Sequence, residues 1–464
     1  MKNDFRASIS VALIGIPLGL GIALAMGAPL YAAIIPVVVG GLFVSWFSGA
    51  YIAVHSTPKM LIPIIASGVI AFGGADLLAG YQMVLVALII AGFIQIILGI
   101  TRSGSIGEMI PNSVIKSLLA AVGVIIIFKQ YHVMLGTQTD AKTTVELIGS
   151  LFANTANLNP AVALVGLVSL AIMISHPKIN LPVIQAIPAP IWVIAISIGY
   201  SLVVGLTDLG PYEMFGKQYE VLPTHMLIVP DSIMGSLVTP DMSVWANSNI
   251  WKLALTITIV TVIEGILSSK GIDRIDPLNR RTNINQELIA TGGGTVVSGF
   301  LGGLPVIPAI VGSSVNVSHN GRTQMANLFQ AVLIIFILVL LGNVLGLIPL
   351  ASLAAILVHT GLKLASPEIF IGVYRIGYEE LAIFLLTLIV TIVWGMILGI
   401  GAGIGLAIML LLWHVRSPVK FFKFLFKPNT VLIIEDDGTY HLSIEGFASF
   451  LNYRRLKKQI DAIP

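Results

Sequence analysis

The chain carries no Asp, Glu, Lys or Arg between Ala7 and Pro58, and most of the residues in that stretch are apolar. A helix needs about 20 apolar residues to cross a bilayer, so the stretch predicts two membrane spans rather than a cleaved signal peptide. Charged residues make up only 10% of the sequence, whereas a soluble globular protein has roughly 25%. Because the chain cannot cover itself with charged side chains, we expect its solvent to be lipid.

Apolar runs of spanning length recur along the rest of the sequence. We place spans near 8–26, 28–48, 82–101, 110–129, 160–176, 189–206, 251–269, 323–346, 348–365, 381–397 and 398–415. Shorter and less regular apolar stretches lie near 58–72, 287–301 and 306–318. The pattern predicts an all-α polytopic membrane protein with about fourteen membrane segments.

Basic residues indicate the orientation, since cytoplasmic loops are enriched in Lys and Arg. With an even number of spans, both termini lie on one side of the membrane. If that side is the cytoplasm, the inner loops hold Lys2, Arg6, Arg102, Lys178, Lys270, Arg274, Arg280, Arg281, Arg322, Lys363 and Arg375. The outer loops then hold only Lys129, Lys142, Lys217 and Lys252. We therefore expect a multi-pass protein of the inner (plasma) membrane with both termini cytoplasmic.

The apolar runs stop near residue 417, so the chain divides into a transmembrane domain, 1–417, and a cytoplasmic tail, 418–464. A long outer loop runs from about 207 to 250 and carries Pro, Asp and Glu. No cysteine is present, which excludes disulfides and thiolate metal sites. The net charge of +3 is small and carries little information about partners. We expect a small inorganic anion and the lipid bilayer as partners, and no nucleic acid.

The tail has a different character from the membrane domain. It opens with Lys420, Lys423 and Lys427 among Phe residues, a pattern that suits the anionic inner leaflet. The runs 431–434 and 440–444 flank an Asp-Asp-Gly turn and predict a β-hairpin, and 447–460 predicts an amphipathic helix. We expect a short α/β segment that is the opening of a further domain.

A short internal match points to two interrupted membrane segments. Residues 44–50 (VSWFSGA) resemble residues 297–303 (VSGFLGG), and each run precedes a short apolar stretch that contains proline, at Pro58 and at Pro305 and Pro308. Non-helical backbone at membrane depth occurs only where it lines a cavity or is buried in protein. Paired interruptions at matching positions are the best sequence indication of a transporter's binding site.

Each half-helix that starts at such an interruption offers unpaired N–H groups and the positive end of its dipole. Two such ends facing each other would bind an anion without an obligatory basic side chain. The alternative is that the prolines only kink ordinary spans. We favour the paired half-helices, because kinks alone do not require the pairing.

Glu264 lies in an otherwise uncharged span, where a carboxylate is costly and therefore a functional candidate. Ser268 lies one turn further on the same helix face, so the two side chains could hold Na⁺, or the carboxylate could carry a proton. The alternative is a structural acid that reaches Lys270 or Arg274. No other metal site and no cofactor are indicated.

Lys59 follows Pro58 at the expected start of the first half-helix. Three roles stay open for it: a substrate ligand, an internal partner for Glu264, or a lysine that snorkels to the interface. The run Gly292-Gly293-Gly294 is not a phosphate loop, since no Lys-Ser/Thr follows it and no strand precedes it. We expect it to allow close packing of helices.

These residues together resemble the sulfate permease (SulP) family. The similar positions are Asp276, Pro277, Arg281, Asn285-Gln286-Glu287-Leu288, Gly294, Ser298-Gly299-Phe300, Gly302-Gly303-Leu304-Pro305-Val306, Ser313-Ser314-Val315-Asn316 and Gly321-Arg322-Thr323. Residues 16–23 resemble the family's first helix, and 440–460 resembles the start of its cytoplasmic STAS domain. Because only the start of that domain is present, we expect a shortened form of the protein.

The resemblance implies two inverted seven-segment repeats that form a core (transport) domain and a gate domain, elevator-type alternating access and a homodimer. It also assigns roles to residues, since Glu264 matches the acid of the eighth segment that is tied to cation coupling in bacterial members. The expected substrate-binding residues stand at the starts of the third and tenth segments: Ser56, Thr57, Pro58, Lys59, Ala309, Ile310, Val311, Gly312 and Ser313.

Two positions depart from the family's pattern. Many members carry an arginine where this chain has Gly312, and the residue after the third-segment proline is usually small or hydroxylic where this chain has Lys59. We therefore expect the positive charge to have moved from one half-helix to the other. The missing arginine also resembles the sodium-coupled bicarbonate carriers of cyanobacteria, although the lysine does not.

The leading hypothesis is a secondary transporter of bicarbonate or sulfate, a symporter coupled to Na⁺ or H⁺ at Glu264. A nucleobase carrier of the same fold would use several buried carboxylates, and one convincing candidate is present. An anion channel or a cation-independent exchanger stays open. A membrane-embedded enzyme is not expected, because no His, Ser or Asp constellation in the membrane suggests chemistry.

Overall fold

The structure is a computed structural model that describes residues 2–104, 110–137, 144–151, 155, 157–185, 187–206, 211–214, 216–222, 225–227, 237–415, 429–434 and 440–445. Its helices are α1 (Lys2–Met26), α2 (Leu30–Phe47), α3 (Ile62–Gly73), α4 (Leu77–Ile100), α5 (Asn112–Leu135), α6 (Thr144–Gly149), α7 (Pro160–Ser175), α8 (Pro182–Gln185), α9 (Ala189–Val204), α10 (Ser248–Ile275), α11 (Ile284–Phe300), α12 (Ile310–Ser318), α13 (Met325–Leu345), α14 (Leu350–Leu364), α15 (Pro367–Tyr374), α16 (Tyr378–Trp394) and α17 (Met396–Val415).

Six short strands accompany the helices in the part of the chain that the structure describes. They are β1 (His55–Ser56), β2 (Tyr212–Met214), β3 (Lys217–Tyr219), β4 (Ile307–Pro308), β5 (Asn429–Ile434) and β6 (Tyr440–Glu445). They pair as three antiparallel two-stranded ladders: β1 with β4, β2 with β3 and β5 with β6. The prediction of a mostly helical membrane protein is confirmed.

Each of the fourteen predicted segments coincides with a helix. Among the described residues, 8 helices are long and apolar enough to cross a membrane. The predicted break between the last two spans lies at Gly395, whose φ of 99° ends α16. The helix α15 after α14 was not predicted, and the predicted outer loop contains the β2–β3 hairpin.

The β-hairpin predicted in the tail is confirmed, since β5 and β6 pair from Asn429 opposite Glu445 to Ile434 opposite Tyr440. The predicted turn at 436–438, the predicted helix at 447–460 and the basic stretch at 420–427 lie outside the described residues.

The chain forms two compact units. The larger comprises residues 1–102 and 122–365, and the smaller comprises 103–121 and 366–464. In the smaller unit, Phe384 of α16 is fully buried, packs edge-on against Phe370 at 4.9 Å and accepts a 2.7 Å hydrogen bond at its carbonyl from the Ser117 hydroxyl.

The larger unit holds both interrupted segments. One apolar cluster joins α1, α2, α13 and α14 through residues such as Leu20, Val37, Ile334 and Leu353. Glycines allow other helices to approach closely: a Cβ on Gly92 of α4 would lie 2.8 Å from the carbonyl oxygen of Gly292 of α11. The prediction that the Gly292 run permits close packing is therefore confirmed.

The second predicted span, α2, is not a regular helix. It passes from a 3-10 turn through an α-helical turn to a π-helical segment, Gly40–Val44, and a last α-helical turn. A Cβ on Gly40 would lie 2.5 Å from the Cβ of His55, so glycine lets the first interrupted segment pack against this π-helical turn. Single π-helical turns are frequent at functional sites.

Candidate functional site

The two interrupted segments meet in the β1–β4 ladder. His55 lies opposite Pro308, and Ser56 lies opposite Ile307. The ladder is extended by the Ala309 N–H, which donates to the Val54 carbonyl at 2.8 Å. Proline explains both interruptions, because it lacks an N–H and disfavours helical backbone at the preceding residue. Backbone groups that lose a helical partner are thus paired across the ladder, as burial at membrane depth requires.

Side chains of α12 fasten the ladder further. The Ser313 hydroxyl accepts from the Val54 N–H at 2.9 Å and donates to the Ala309 carbonyl at 2.8 Å. The Asn316 amide donates to the Ile52 carbonyl at 3.2 Å. Ser313 and Asn316 are buried. They make the second half-helix, α12, part of the same structure as the first interrupted segment.

Because the ladder is antiparallel, the chain leaves it in opposite directions. The first segment turns at Lys59 and Met60 into the half-helix α3, and the second enters the half-helix α12 at Ile310. The N-terminal ends of the two half-helices therefore flank one two-residue ladder. This is the arrangement that the paired interruptions predict.

The first half-helix has an internal anion at its start. One carboxylate oxygen of Glu264 accepts from the Lys59 N–H at 3.0 Å and the other accepts from the Met60 N–H at 3.0 Å. A carboxylate at a helix N-terminus satisfies unpaired donors and the positive end of the dipole together. Glu264, on α10, is thus fixed on the first interrupted segment.

Among the described residues, no carboxylate accepts from the start of the second half-helix in this way. Its N-cap residue, Ala309, offers no side-chain acceptor. The N–H groups of Ile310, Val311 and Gly312 precede the first helical hydrogen bond, which Ser313 makes to Ala309. Ile310 and Val311 are 41% and 46% exposed. This helix start is open, whereas Glu264 accepts from two N–H groups of the turn that leads into α3.

Lys59 is half-buried, and its ammonium lies within electrostatic range of Glu264 and Lys363. In the described part of the chain no carboxylate lies close enough to form an ion pair with it; its contact with Glu264 is made by its backbone N–H. The hydroxyl of Thr57 is buried and has no hydrogen-bond partner among the described residues. The first segment thus offers a cation and a free hydroxyl.

The remaining predicted residues lie around this geometry. Ser56 is in β1, Pro58 is buried between Thr57 and Lys59, and Ser268 is buried one turn beyond Glu264. The carboxylate of Glu264 and the hydroxyl of Ser268 are hard oxygen donors of the type that Na⁺ takes, and their role as a site for the coupling ion stays a prediction. Gly312 packs tightly, since a Cβ there would lie 2.9 Å from a Val54 methyl.

Sequence reasoning missed a second polar cluster behind the ladder. His55 is fully buried and its Nε2 lies 2.9 Å from Glu287 Oε1. Its Nδ1 lies 2.8 Å from the side-chain nitrogen of Asn327. Glu287 and Asn327 are also buried, on α11 and α13. The signal was available, because polar residues in apolar segments are functional candidates, but Glu287 was noted only as part of a family signature.

The loop between α10 and α11 carries other residues of that signature. Arg280 donates to Asp276 at 2.7 Å and 3.2 Å, and to the Arg322 carbonyl at 2.9 Å. Burial raises the pKa of Asp276, but the hydrogen bonds from Arg280 and the Leu278 N–H outweigh burial and hold that pKa below its ordinary value. The loop is thereby tied to the start of α13.

Comparison with known proteins supports the resemblance to the sulfate permease family. The sequence profile of the Sulfate permease family matches residues 1–387. A putative sulfate transporter, YvdB, of Bacillus subtilis is 23% identical over 88% of this chain and 72% of its own length. The bicarbonate transporter BicA of Picosynechococcus is 23% identical over 78% of this chain and 62% of its own length. The chain thus spans about two thirds of these relatives.

Two solved structures share the fold. The transmembrane domain of a cyanobacterial BicA superposes with a TM-score of 0.73 at 20% identity, covering 87% of this chain and 97% of that domain. The overall structure of SLC26A9 superposes with a TM-score of 0.76 at 14% identity, covering 94% of this chain and 68% of that protein. With a profile match over most of its length and this fold, the chain is a multi-pass membrane protein that belongs to the sulfate permease family.

Proposed function

We propose that the chain is a secondary transporter of a small inorganic anion, bicarbonate or sulfate, coupled to Na⁺ or H⁺ at Glu264 and moving by elevator-type alternating access. The observation that carries the proposal is the β1–β4 ladder, because it brings the starts of two half-helices together within one unit. The relatives named as sulfate and bicarbonate transporters support this class of substrate.

The anion binds at the open start of α12. Three N–H groups, of Ile310, Val311 and Gly312, and the positive end of the helix dipole favour a negative ligand there. Lys59 supplies the long-range positive charge, and the free hydroxyl of Thr57 supplies a further donor from the facing segment. Sulfate and bicarbonate both accept hydrogen bonds at several oxygens, so the same donors serve either anion.

Coupling follows from the position of Glu264. Its carboxylate accepts from the N–H groups of Lys59 and Met60, just before the first half-helix, and its negative charge repels an anion bound nearby. A proton on the carboxylate, or a Na⁺ held by Glu264 and Ser268, removes that repulsion and thereby raises the affinity for the anion. The cation and the anion thus favour each other's binding, as linkage requires.

A cation-independent exchanger is the second candidate. The Lys59 ammonium lies within electrostatic range of Glu264, so it compensates part of the negative charge that a coupling cation would otherwise compensate. In that case the lysine takes the place of the cation, and anion flux does not respond to a Na⁺ or H⁺ gradient.

We further propose a homodimer in the plasma membrane with both termini cytoplasmic.

Uptake of labelled sulfate and labelled bicarbonate into proteoliposomes tests the proposal. We expect saturable uptake of one of them, several-fold faster with an inward Na⁺ or H⁺ gradient. Saturable uptake that ignores both gradients supports the exchanger, and unsaturable flux supports a channel. If neither anion enters, the proposed function is wrong.

The Glu264→Gln variant separates coupling from binding. We expect it to keep one acceptor for the half-helix and to lose the response to the cation gradient. Glu213→Gln is the matched control, because Glu213 is an exposed glutamate of the β2–β3 hairpin. A Glu264→Gln protein that retains the full gradient response contradicts coupling at this residue.

A further inference from the structure

His55, Glu287 and Asn327 form a buried cluster that the proposed transport scheme does not use. Their side chains come from three different elements, β1, α11 and α13, and each is at most 3% exposed. The cluster lies directly behind the β1–β4 ladder, because His55 is itself a member of β1. Whatever fixes this histidine therefore fixes the backbone that leads to Thr57, Pro58 and Lys59.

The hydrogen bonds of Asn327 fix which end of its amide is which. Its oxygen accepts from the His55 backbone N–H at 3.3 Å, and its nitrogen donates one hydrogen to the Ser45 hydroxyl at 2.8 Å. The nitrogen also lies 3.1 Å from the Gly40 carbonyl, which accepts from the Ser45 hydroxyl at 3.0 Å. A flipped amide would place its nitrogen against the His55 N–H and its oxygen against the Gly40 carbonyl. Both contacts would then be repulsive, so only the first orientation satisfies the site.

The orientation of Asn327 in turn determines the tautomer of His55. The amide nitrogen faces His55 Nδ1 at 2.8 Å, and an amide nitrogen can only donate. Nδ1 must therefore accept, so it carries no proton. The single ring proton of a neutral imidazole is then on Nε2, which donates to Glu287 at 2.9 Å.

In the part of the chain that the structure describes, Glu287 is stabilised as a carboxylate without a Lys or Arg partner. Besides the His55 ring, its second oxygen accepts from the Ser48 hydroxyl at 2.5 Å and from the Gly49 N–H at 3.0 Å. It also lies in the first turn of α11, where the helix dipole favours negative charge. Three donors and the dipole together offset its burial, so a neutral His55 is sufficient.

Other charged groups lie further from Glu287 than the three donors that bond to it. Arg280 and Arg281 line a cavity of about 440 Å³ that Ser48 and Gly49 also line. The facing side chains are the uncharged Ser45 of α2, Asn327 of α13 and Gln324, the N-cap residue of α13. The cluster is thus a set of directional hydrogen bonds rather than an ion pair.

We propose that His55 is a positioning residue of the anion site: held by Asn327 as its neutral Nε2–H tautomer and joined through that proton to Glu287, it fixes the first interrupted segment to α11 and α13. This inference rests on the proposed function for its consequence, because the segment it fixes carries Lys59 and Thr57. The assignment of the tautomer itself is independent of any transport activity.

Nitrogen-15 NMR of histidine side chains in the full chain tests the tautomer. The chain has 8 histidines, and the signal that disappears in His55→Gln belongs to His55. We expect the pattern of a neutral ring protonated on Nε2. In Asn327→Asp the new carboxylate accepts from Nδ1, so the His55 ring should become doubly protonated. A wild-type ring that is cationic, or protonated on Nδ1, overturns the proposal.

Transport kinetics test the positioning role. His55→Gln keeps a donor toward Glu287 but loses the acceptor for Asn327, so we expect KM for the anion to rise about tenfold, equivalent to ~1.4 kcal/mol of binding, with kcat nearly unchanged. His132→Gln is the matched control, since His132 is a buried histidine that contacts Thr137 of its own segment. If His55→Gln lowers kcat as much as it raises KM, or if His132→Gln changes both constants to the same extent, the positioning role is contradicted.

The two arms also separate this inference from the proposed function. If wild-type protein takes up neither anion, the proposed function fails while the NMR result still decides the tautomer. If Asn327→Asp does not fold, Asn327→Leu replaces it: Glu287 still holds the ring proton on Nε2, but Nδ1 loses its donor, so the Nδ1 signal of His55 should shift. An Nδ1 signal that does not move in Asn327→Leu overturns the role of Asn327.

Discussion

Lys59 contacts Glu264 through its backbone and not through its side chain. The N–H of Lys59 is bonded to Glu264, yet its ammonium lies too far away to form an ion pair in the described structure. The positive charge of Lys59 is therefore not neutralised by direct contact with a carboxylate of the described residues. Among the three roles that the sequence left open, partnership with Glu264 does not take the form of a salt bridge, but the Lys59 ammonium lies within electrostatic range of that carboxylate. Partnership through charge therefore stays a prediction, as do the substrate and snorkelling roles.

Replacing Lys59 with threonine distinguishes the substrate and snorkelling roles. If Lys59 supplies positive potential to the anion, Lys59→Thr should raise the KM for the anion about tenfold, or ~1.4 kcal/mol, because the dipole of α12 remains as the main source of positive potential. Initial rates of labelled uptake over a range of anion concentrations measure the effect.

Lys363→Thr is the control for that substitution. Lys363 lies on α14 and contributes a like charge to the surroundings of Lys59 without belonging to either interrupted segment. We expect its KM to stay within about twofold of wild type, since long-range charges are screened. If Lys59→Thr also leaves the KM for the anion within about twofold of wild type, Lys59 is an interfacial lysine.

At the scale of elements, the sequence predicted which segments are helical and where two of them break. Apolar runs and prolines are local signals, so the stretches that contain Pro58 and Pro308 were identified as interrupted from residue types alone. The partners of those segments are not local. The register of His55 opposite Pro308 depends on the whole fold, because it joins residues more than 200 positions apart.

The same reasoning explains what was missed at the site. Glu264 was identified from its charge in an apolar span, but its contact with the N–H groups of Lys59 and Met60 has no counterpart in the sequence. His55 and Glu287 each carry a signal as polar residues in apolar segments, but nothing local in the sequence pairs them. Their role emerges only when α11 and β1 are brought within 3 Å of each other, as the 2.9 Å contact shows.

Gly312 allows the second half-helix to lie against the first interrupted segment. A Cβ at this position would meet the Val54 methyl at 2.9 Å and its Cβ at 3.2 Å. We expect Gly312→Ala to destabilise the protein by about 1–3 kcal/mol, the usual cost of an overpacked site. A lower midpoint of thermal unfolding in detergent would measure this loss.

A compensating substitution checks the cause. Val54→Ala removes the methyl groups that the new Cβ meets, so the double variant should recover most of the loss, and the coupling between the two sites should exceed ~0.5 kcal/mol. Gly199→Ala is the control, because nothing lies within 4 Å of a Cβ there. Purely additive effects of Gly312→Ala and Val54→Ala would contradict this explanation.

At the scale of the molecule, the two interrupted segments, Glu264 and the His55 cluster all belong to the larger unit. Ladder hydrogen bonds, Ser313 and Asn316 connect α12 to the first interrupted segment, and Glu264 holds that segment on α10. A site built in this way is costly to separate, because each buried donor would lose its partner. Elevator-type access, in which the half-helices travel together, is consistent with such a construction.

A disulfide across the ladder tests whether the half-helices do travel together. The chain contains no cysteine, and Ser56 lies directly opposite Ile307 in the antiparallel ladder, a position where Cα atoms lie about 4.5–5.5 Å apart and a disulfide can form. We expect the Ser56→Cys/Ile307→Cys protein to take up anion at rates within about twofold before and after oxidation, since a bond inside one moving body restricts nothing.

Comparing the same protein oxidised and reduced cancels the effect of the substitutions on binding, and each single variant controls for the oxidant. Mass spectrometry of the linked peptides establishes that the bond has formed. If oxidation stops uptake and a reductant restores it, the two half-helices move relative to each other during transport, and access to the site depends on opening the ladder rather than on carrying it across the membrane.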